Sequence, residues 1–111
     1  MRQKNSNPKS RSHKNTCIFA EVNATALPQL EALCAVWLPG GRRYGAEYLA
    51  LNPTREDRYI GSFSINVITG RWADFATQDR GGDPVSLYAY LSGLTQIEAA
   101  HKLAKEMGVA A

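Results

Sequence analysis

The sequence predicts a small α+β domain: a three-stranded antiparallel sheet with one helix before it and two after it, in the order α-β-β-β-α-α. Three observations carry that prediction. Residues 62–68 alternate apolar and polar, a Thr69-Gly70 turn follows directly, and two helix-start signatures, Asp83-Pro84 and Thr95-Gln96-Ile97-Glu98, lie toward the end of the chain. A period of two marks a strand with one buried face, and cap residues ahead of apolar positions spaced three and four apart mark helices.

In residues 26–38, Leu27, Leu30, Leu33, Cys34 and Trp37 recur at helical spacing, with Asn23 or Thr25 ahead of them as a cap. Pro28 falls in the first turn, where its missing N–H costs least. Pro39-Gly40-Gly41 ends this helix, and Arg42-Arg43-Tyr44-Gly45 reads as a basic link. Strands are predicted over 47–51, 62–68 and 71–76; Asn52-Pro53 stops the first, and the last two form a hairpin in which Gly70 takes the positive φ of a tight turn. Along the middle strand Phe63, Ile65 and Val67 face one way and Ser62, Ser64 and Asn66 the other. Asp83 caps a helix carrying Val85, Leu87, Tyr88 and Leu91 that stops near Ser92-Gly93. The capping box from Thr95 to Glu98 opens the last helix, whose buried stripe is Ile97, Ala100, Ala104 and Met107 and whose stop is Gly108.

A chain of 111 residues is one typical domain, and 44% apolar content is enough to build a core without a disulfide or a metal. Its charge is uneven. Residues 1–14 hold Arg2, Lys4, Lys9, Arg11 and Lys14 and no acid, whereas in 15–111 ten acids outnumber the eight remaining Lys and Arg. The first fourteen residues have Met1 as their one strongly apolar side chain and read as a disordered basic tail ahead of a single domain spanning 15–111. Such a tail is either a solvated extension or an arm that tethers nucleic acid by releasing counterions from phosphates. Cys17 and Cys34 have sixteen residues between them and lie outside any C-x-x-C, so both read as reduced thiols. With no leader sequence and no apolar run of membrane-spanning length, the expected compartment is the cytoplasm.

Between residue 15 and His101 every Lys or Arg is an arginine: Arg42, Arg43, Arg55, Arg58, Arg71 and Arg80, all in or beside the sheet. A guanidinium fork matches phosphates and base edges, and rings such as Tyr44, Tyr59 and Trp72 stack on unpaired bases when exposed. The predicted nucleic-acid-binding set is therefore Arg42, Arg43, Tyr44, Arg55, Arg58, Arg71, Trp72 and Arg80. The competing arrangement pairs these arginines with Glu47, Glu56, Asp57 and Asp74 and puts Trp72 in the core. Catalysis is not expected, because the acids are scattered and neither His13 nor His101 has a nucleophile or acid arranged beside it. Gly81-Gly82-Asp83 reads as a turn whose Asp83 carboxylate occupies the helix N-terminus that a phosphate would otherwise use.

Gly61-Ser62-Phe63-Ser64-Ile65-Asn66, Thr69-Gly70-Arg71-Trp72-Ala73-Asp74-Phe75, Gly81-Gly82-Asp83 and Glu98-Ala99-Ala100-His101-Lys102-Leu103-Ala104 together resemble the N-terminal zinc-binding domain of DNA primases, over about half of the chain. Asn52-Pro53-Thr54-Arg55-Glu56-Asp57 and residues 72–76 are similar to the variants found at the start of phage- and plasmid-type primase-helicase proteins. In that family an early C-x-x-H and a later C-x-x-C hold zinc. The matching positions here, near Asn52, Arg55, Phe75 and Gln78, offer neither thiolate nor imidazole, so no structural zinc is expected and no other cofactor is implied. Phe63, Trp72 and Phe75 are expected to supply by packing what the metal would have held together. The resemblance implies a non-catalytic accessory module that binds DNA, in single-stranded form, for template recognition in a phage- or plasmid-type replication system. The alternative is a protein-protein interaction domain that docks on a primase, a helicase or a host protein, including a mobile-element inhibitor of a host system. Neither reading involves a membrane or a small-molecule substrate.

Overall fold

A computed structural model describes the backbone of residues 10–109 and the side chains of residues 18–109. Helix α1 (Ser10–Ala26) runs through a 3₁₀ turn (Leu27–Gln29) into α2 (Leu30–Trp37). Strands β1 (Arg42–Tyr44), β2 (Glu47–Ala50), β3 (Phe63–Asn66), β4 (Trp72–Asp74) and β5 (Arg80–Gly81) follow, and α3 (Pro84–Ser92) and α4 (Gln96–Met107) close the described chain. The strands form one antiparallel sheet in chain order, so every strand pairs with its neighbours in sequence. Among the described residues no helix is long and apolar enough to cross a membrane.

The sheet has five strands where the sequence pattern predicts three, and both additions are edges. β1 is the segment read as a basic link; it pairs with β2 through Arg42↔Leu49, Arg43↔Tyr48 and Tyr44↔Glu47 across a two-residue turn of Gly45 and Ala46. β5 is two residues laid against Trp72 and Ala73. Three residues exposed throughout, or two residues of any kind, carry no alternation; their partner strand and not their composition makes them strands. The first helix also departs from expectation. The α-helix predicted over 26–38 begins at Leu30, and a longer helix, α1, precedes it. Pro28 lies in the 3₁₀ turn between them, where its missing N–H interrupts the helical ladder. Asn23 and Thr25, read as caps, lie inside α1, and the Asn23 Oδ1 accepts the Val85 N–H at 2.9 Å, satisfying a first-turn donor of α3. Residues 1–9 of the predicted basic tail lie outside the described residues, while 10–14 belong to the start of α1.

The other punctuation falls where the sequence places it. At the β3–β4 turn Gly70 takes φ of +85°, and the Asn66 Oδ1 accepts the N–H groups of Ile68 and Thr69, both at 2.9 Å. Asp83 caps α3 by accepting the Ser86 N–H at 2.8 Å, and Thr95 and Glu98 close a reciprocal capping box on α4.

Two clusters form the core. Leu30, Cys34 and Leu38 lie with Tyr48, Phe63, Ile65, Val67 and Trp72 from the sheet and Leu87 from α3. Ile18 and Val22 of α1 pack with Val85, Tyr88 and Ala89 of α3 and Ala99, Ala100, Leu103 and Ala104 of α4. Helix α3 feeds both clusters, which explains why its sequence is apolar nearly all round instead of striped. Cys34 is fully buried, and burial, with help from Glu31, pushes its thiol up to about 12, so it packs as a neutral core side chain.

At the end of β4 a different element of the interior appears. The Asp74 carboxylate is wholly buried, and four donors reach it: Asn52 Nδ2 at 2.7 Å, Arg55 Nε at 2.8 Å, Arg55 Nη2 at 3.2 Å and the Ala76 N–H at 2.9 Å. A carboxylate has about four acceptor sites, and here all are used. Arg55 also reaches Ser62 Oγ at 2.8 Å and Asp57 at 3.3 Å, and Asn52 Nδ2 donates to the Tyr90 hydroxyl at 2.9 Å, which donates to Asp79 at 2.7 Å. The network thus pins the long connection of residues 51–62 onto β4 and α3. Asn52 and Arg55, two of the four positions where the resemblance would have placed zinc ligands, converge on this one carboxylate. The aromatic substitution expected there is half realised: Phe63 and Trp72 are buried with ring centroids 6.3 Å apart, but Phe75 is 67% exposed, because one residue beyond Asp74 the pleat turns it to the opposite face.

Burial by itself raises the Asp74 carboxyl, but the hydrogen bonds from Arg55, Asn52 and Ala76 outweigh it and hold the group well below the usual carboxylate range. A depressed folded value means that this stabilisation is complete above the unfolded value of about 3.9 and is lost as pH falls through the folded one. The thermal midpoint is expected to drop steeply below about pH 4, with Asp74→Asn flattening that dependence. Asp74→Ala, which strands the Arg55 and Asn52 donors, is expected to cost about 3–5 kcal/mol in urea unfolding.

Candidate nucleic-acid interface

Cross-strand partners point to the same side of a sheet, so the register sorts the side chains into two faces. Tyr48, Phe63, Ile65 and Trp72 face the helices. The pairs Arg42↔Leu49, Leu49↔Ser64, Ser64↔Ala73 and Ala73↔Arg80 lay one row across the opposite face, with an arginine at each end. A second row runs Tyr44, Glu47, Asn66, and Arg71 follows where its carbonyl accepts the Asn66 N–H at 2.7 Å. The first core cluster draws its sheet members from the helix side and the second has none, so among the described residues this second face is left open. A groove of about 570 Å³ crosses it, bordered by Glu47, Ser64, Asn66, Arg71, Phe75 and Arg80.

The eight residues predicted from sequence separate into groups. Arg42, Arg71, Arg80 and Tyr44 share the open face, and among the described residues none of the three arginines has an acid within ion-pair distance. Tyr44 is 58% exposed and Phe75 67%, so both rings are available for stacking. Arg43 points to the helix side and binds Glu31 of α2 at 2.5 Å. Arg55 is committed to Asp74, and Arg58 is exposed in the 51–62 connection, away from the groove. Trp72 is 5% exposed, its ring centroid 4.6 Å from that of Tyr90 and its Nε1 donating to Ser86 Oγ at 3.0 Å, so its faces are not free for a base. The predicted set thus loses Arg43, Arg55, Arg58 and Trp72. It gains Phe75, Glu47, Ser64 and Asn66, and the signal for these was present in the alternation of β3: once Phe63 and Ile65 are inward, register sends Ser64, Asn66 and their partners outward.

Glu47 lies on the open face between Tyr44 and Asn66. Its carboxylate accepts from Ser64 Oγ and, at 3.0 Å, from Asn66 Nδ2, while the Asn66 carbonyl is held by the β3–β4 turn. Among the described residues no group of three or more His, Cys, Asp or Glu side chains is placed to hold a metal ion. The arrangement is one of presented cations, rings and acceptors on a rigid sheet, which suits binding. No protein-family model matches the sequence, and no curated protein matches it either.

The groove's edge at β5 rests on a close approach. A Cβ on Gly81 would lie 2.5 Å from both Trp72 Nε1 and Ser86 Oγ, inside the hydrogen bond that joins β4 to α3. Gly81→Ala is expected to break that bond and cost about 1–3 kcal/mol, read as a lowered urea midpoint; an unchanged midpoint would mean that β5 can shift freely.

Proposed function

We propose that this chain is a non-catalytic module that binds single-stranded nucleic acid, DNA by the resemblance to primase zinc-binding domains, across the open face of its sheet. One observation carries the reading: Arg42, Arg71 and Arg80, unpaired among the described residues, share an uncovered sheet face with the exposed rings of Tyr44 and Phe75. A strand laid on this surface would contact arginines through its phosphates and stack its bases on the rings, the combination used by sequence-tolerant single-strand binders. The buried network around Asp74 supports the same reading, since it fixes β4 and hence the position of Phe75. Cytoplasmic location and membership in a phage- or plasmid-type replication system belong to this proposal and rest on the resemblance and the reduced Cys34.

The test is a fluorescence-anisotropy titration of single- and double-stranded oligonucleotides over a range of salt, with the full chain and with residues 1–9 deleted. Joint Arg42→Ala, Arg71→Ala and Arg80→Ala substitution is expected to weaken binding and to reduce the salt slope by about 2, three phosphate contacts at about 0.7 each. Phe75→Ala is expected to cost about 1–3 kcal/mol of affinity on a single strand, whereas Lys102→Ala on α4 leaves binding as it was. Equal affinity in the triple variant and the parent would remove the open face from the proposal. The excess of acids over cations in 15–111 favours a second reading, docking on a protein of the same replication system. That reading predicts no oligonucleotide binding at near-physiological salt and a nuclease-resistant complex with such a partner.

A further inference from the structure

An acid on a surface that binds polyanions works against affinity, and register places Glu47 on the open face between Tyr44 and Asn66, with Arg71 and Arg80 bordering the same groove. It is not neutralised in place: among the described residues no cation lies within ion-pair distance of its carboxylate. It is also held. Ser64 Oγ and Asn66 Nδ2 each donate to one of its oxygens, and Asn66 is itself fixed because its carbonyl accepts the N–H groups of Ile68 and Thr69 at 2.9 Å. Two donors leave about half of the acceptor capacity of a carboxylate unused, and that remainder belongs to a group lining the groove.

A fixed carboxylate is an acceptor pair looking for two adjacent donors. Among the four DNA bases, guanine alone presents two on neighbouring atoms of its Watson–Crick edge, N1–H and N2–H. Adenine and cytosine offer one amino group beside an acceptor nitrogen, and thymine offers one N–H between two carbonyls that would repel the acid. Resting on the single-strand reading above, we infer that Glu47 makes the groove selective for guanine, accepting N1–H and N2–H while O6 is left to an arginine of the same groove. Phosphate contacts position a strand and base-edge contacts specify it. Arg42, Arg71 and Arg80 supply the first, and Glu47 supplies the second at the cost of some general affinity.

The experiment uses the full chain and a set of thymine oligonucleotides that differ at one central base: thymine, guanine, inosine, adenine or cytosine. Guanine is expected to bind about tenfold more tightly than thymine, the discrimination typical of one good bidentate base contact, with inosine, which lacks the N2 amino group, in between. Glu47→Gln keeps hydrogen-bonding groups for Ser64 and Asn66 but removes the acceptor pair. It is expected to abolish the guanine preference and to raise affinity for the all-thymine strand. Equal binding of guanine and thymine by the parent chain would overturn the selectivity and leave the single-strand reading standing. A guanine preference that survives Glu47→Gln would remove this residue from the recognition, and binding of none of the strands would overturn both readings. A purely structural role for Glu47 would move the thermal midpoint of Glu47→Gln without changing the ratio of guanine to inosine affinity, and the base series on the parent chain decides the matter even if that variant unfolds.

Discussion

The Asp74 carboxylate lies at the end of β4 with no access to water, and the surrounding chain is arranged to satisfy it. Leaving such a charge unpaired would cost several kcal/mol, so Asn52, Arg55 and the Ala76 N–H must converge on it together. That requirement reaches three parts of the fold. It folds the irregular 51–62 connection back onto the sheet, it sets the tight turn that returns as β5, and through Asn52 and the Tyr90 hydroxyl it locks α3 over β4. A tetrahedral metal does comparable work in small domains by linking two separated loops at one point. Here a fully hydrogen-bonded carboxylate links them, and the apolar clusters on both sides of α3 provide the bulk of the burial.

The consequences for the surface follow from how the arginines are used. Arg55 is drawn inward by Asp74 and Asp57, and Arg43 is held sideways by Glu31 at the surface, so both have their charge answered by acids of the same chain. Arg42, Arg71 and Arg80 remain on the open face, where among the described residues the only acid of the groove lining is Glu47. A folded part with more acids than cations therefore still presents a locally positive surface. Net charge, summed over a chain, hides this division; the field that a ligand meets depends on which face each charge occupies.

The same sheet separates its buried face from its open face by parity. Inward residues of β3 and β4, Phe63, Ile65, Trp72 and Asp74, build the core and its polar clasp, and the residues between them, Ser64, Asn66 and Ala73, build the floor of the groove. A one-residue slip of register would exchange the two sets, so the clasp at Asp74 guards the open face as well as the fold. Phe75 illustrates the rule: it follows the most buried acid in the chain and is itself among the most exposed rings.

The sequence by itself determined the α+β class, the β3–β4 hairpin, and the boundaries of α3 and α4, because these depend on local chemistry: a period of two, a glycine at positive φ, and cap side chains that bond backbone three residues on. It did not determine α1, whose residues carry no clear stripe, nor the edge strands β1 and β5, which exist because a neighbouring strand offers hydrogen bonds to them. In the site it supplied the residue types, arginines and aromatics, and mixed together those that face out with those that face in. Only the tertiary structure decided that Arg55 pairs within the interior, that Trp72 is covered while Phe75 is open, and that Glu47 faces the groove. Those outcomes turn on pairing between residues fourteen or more apart, Arg55 with Asp74, Glu47 with Asn66 and Trp72 with Ser86, and no local pattern encodes a contact at that separation.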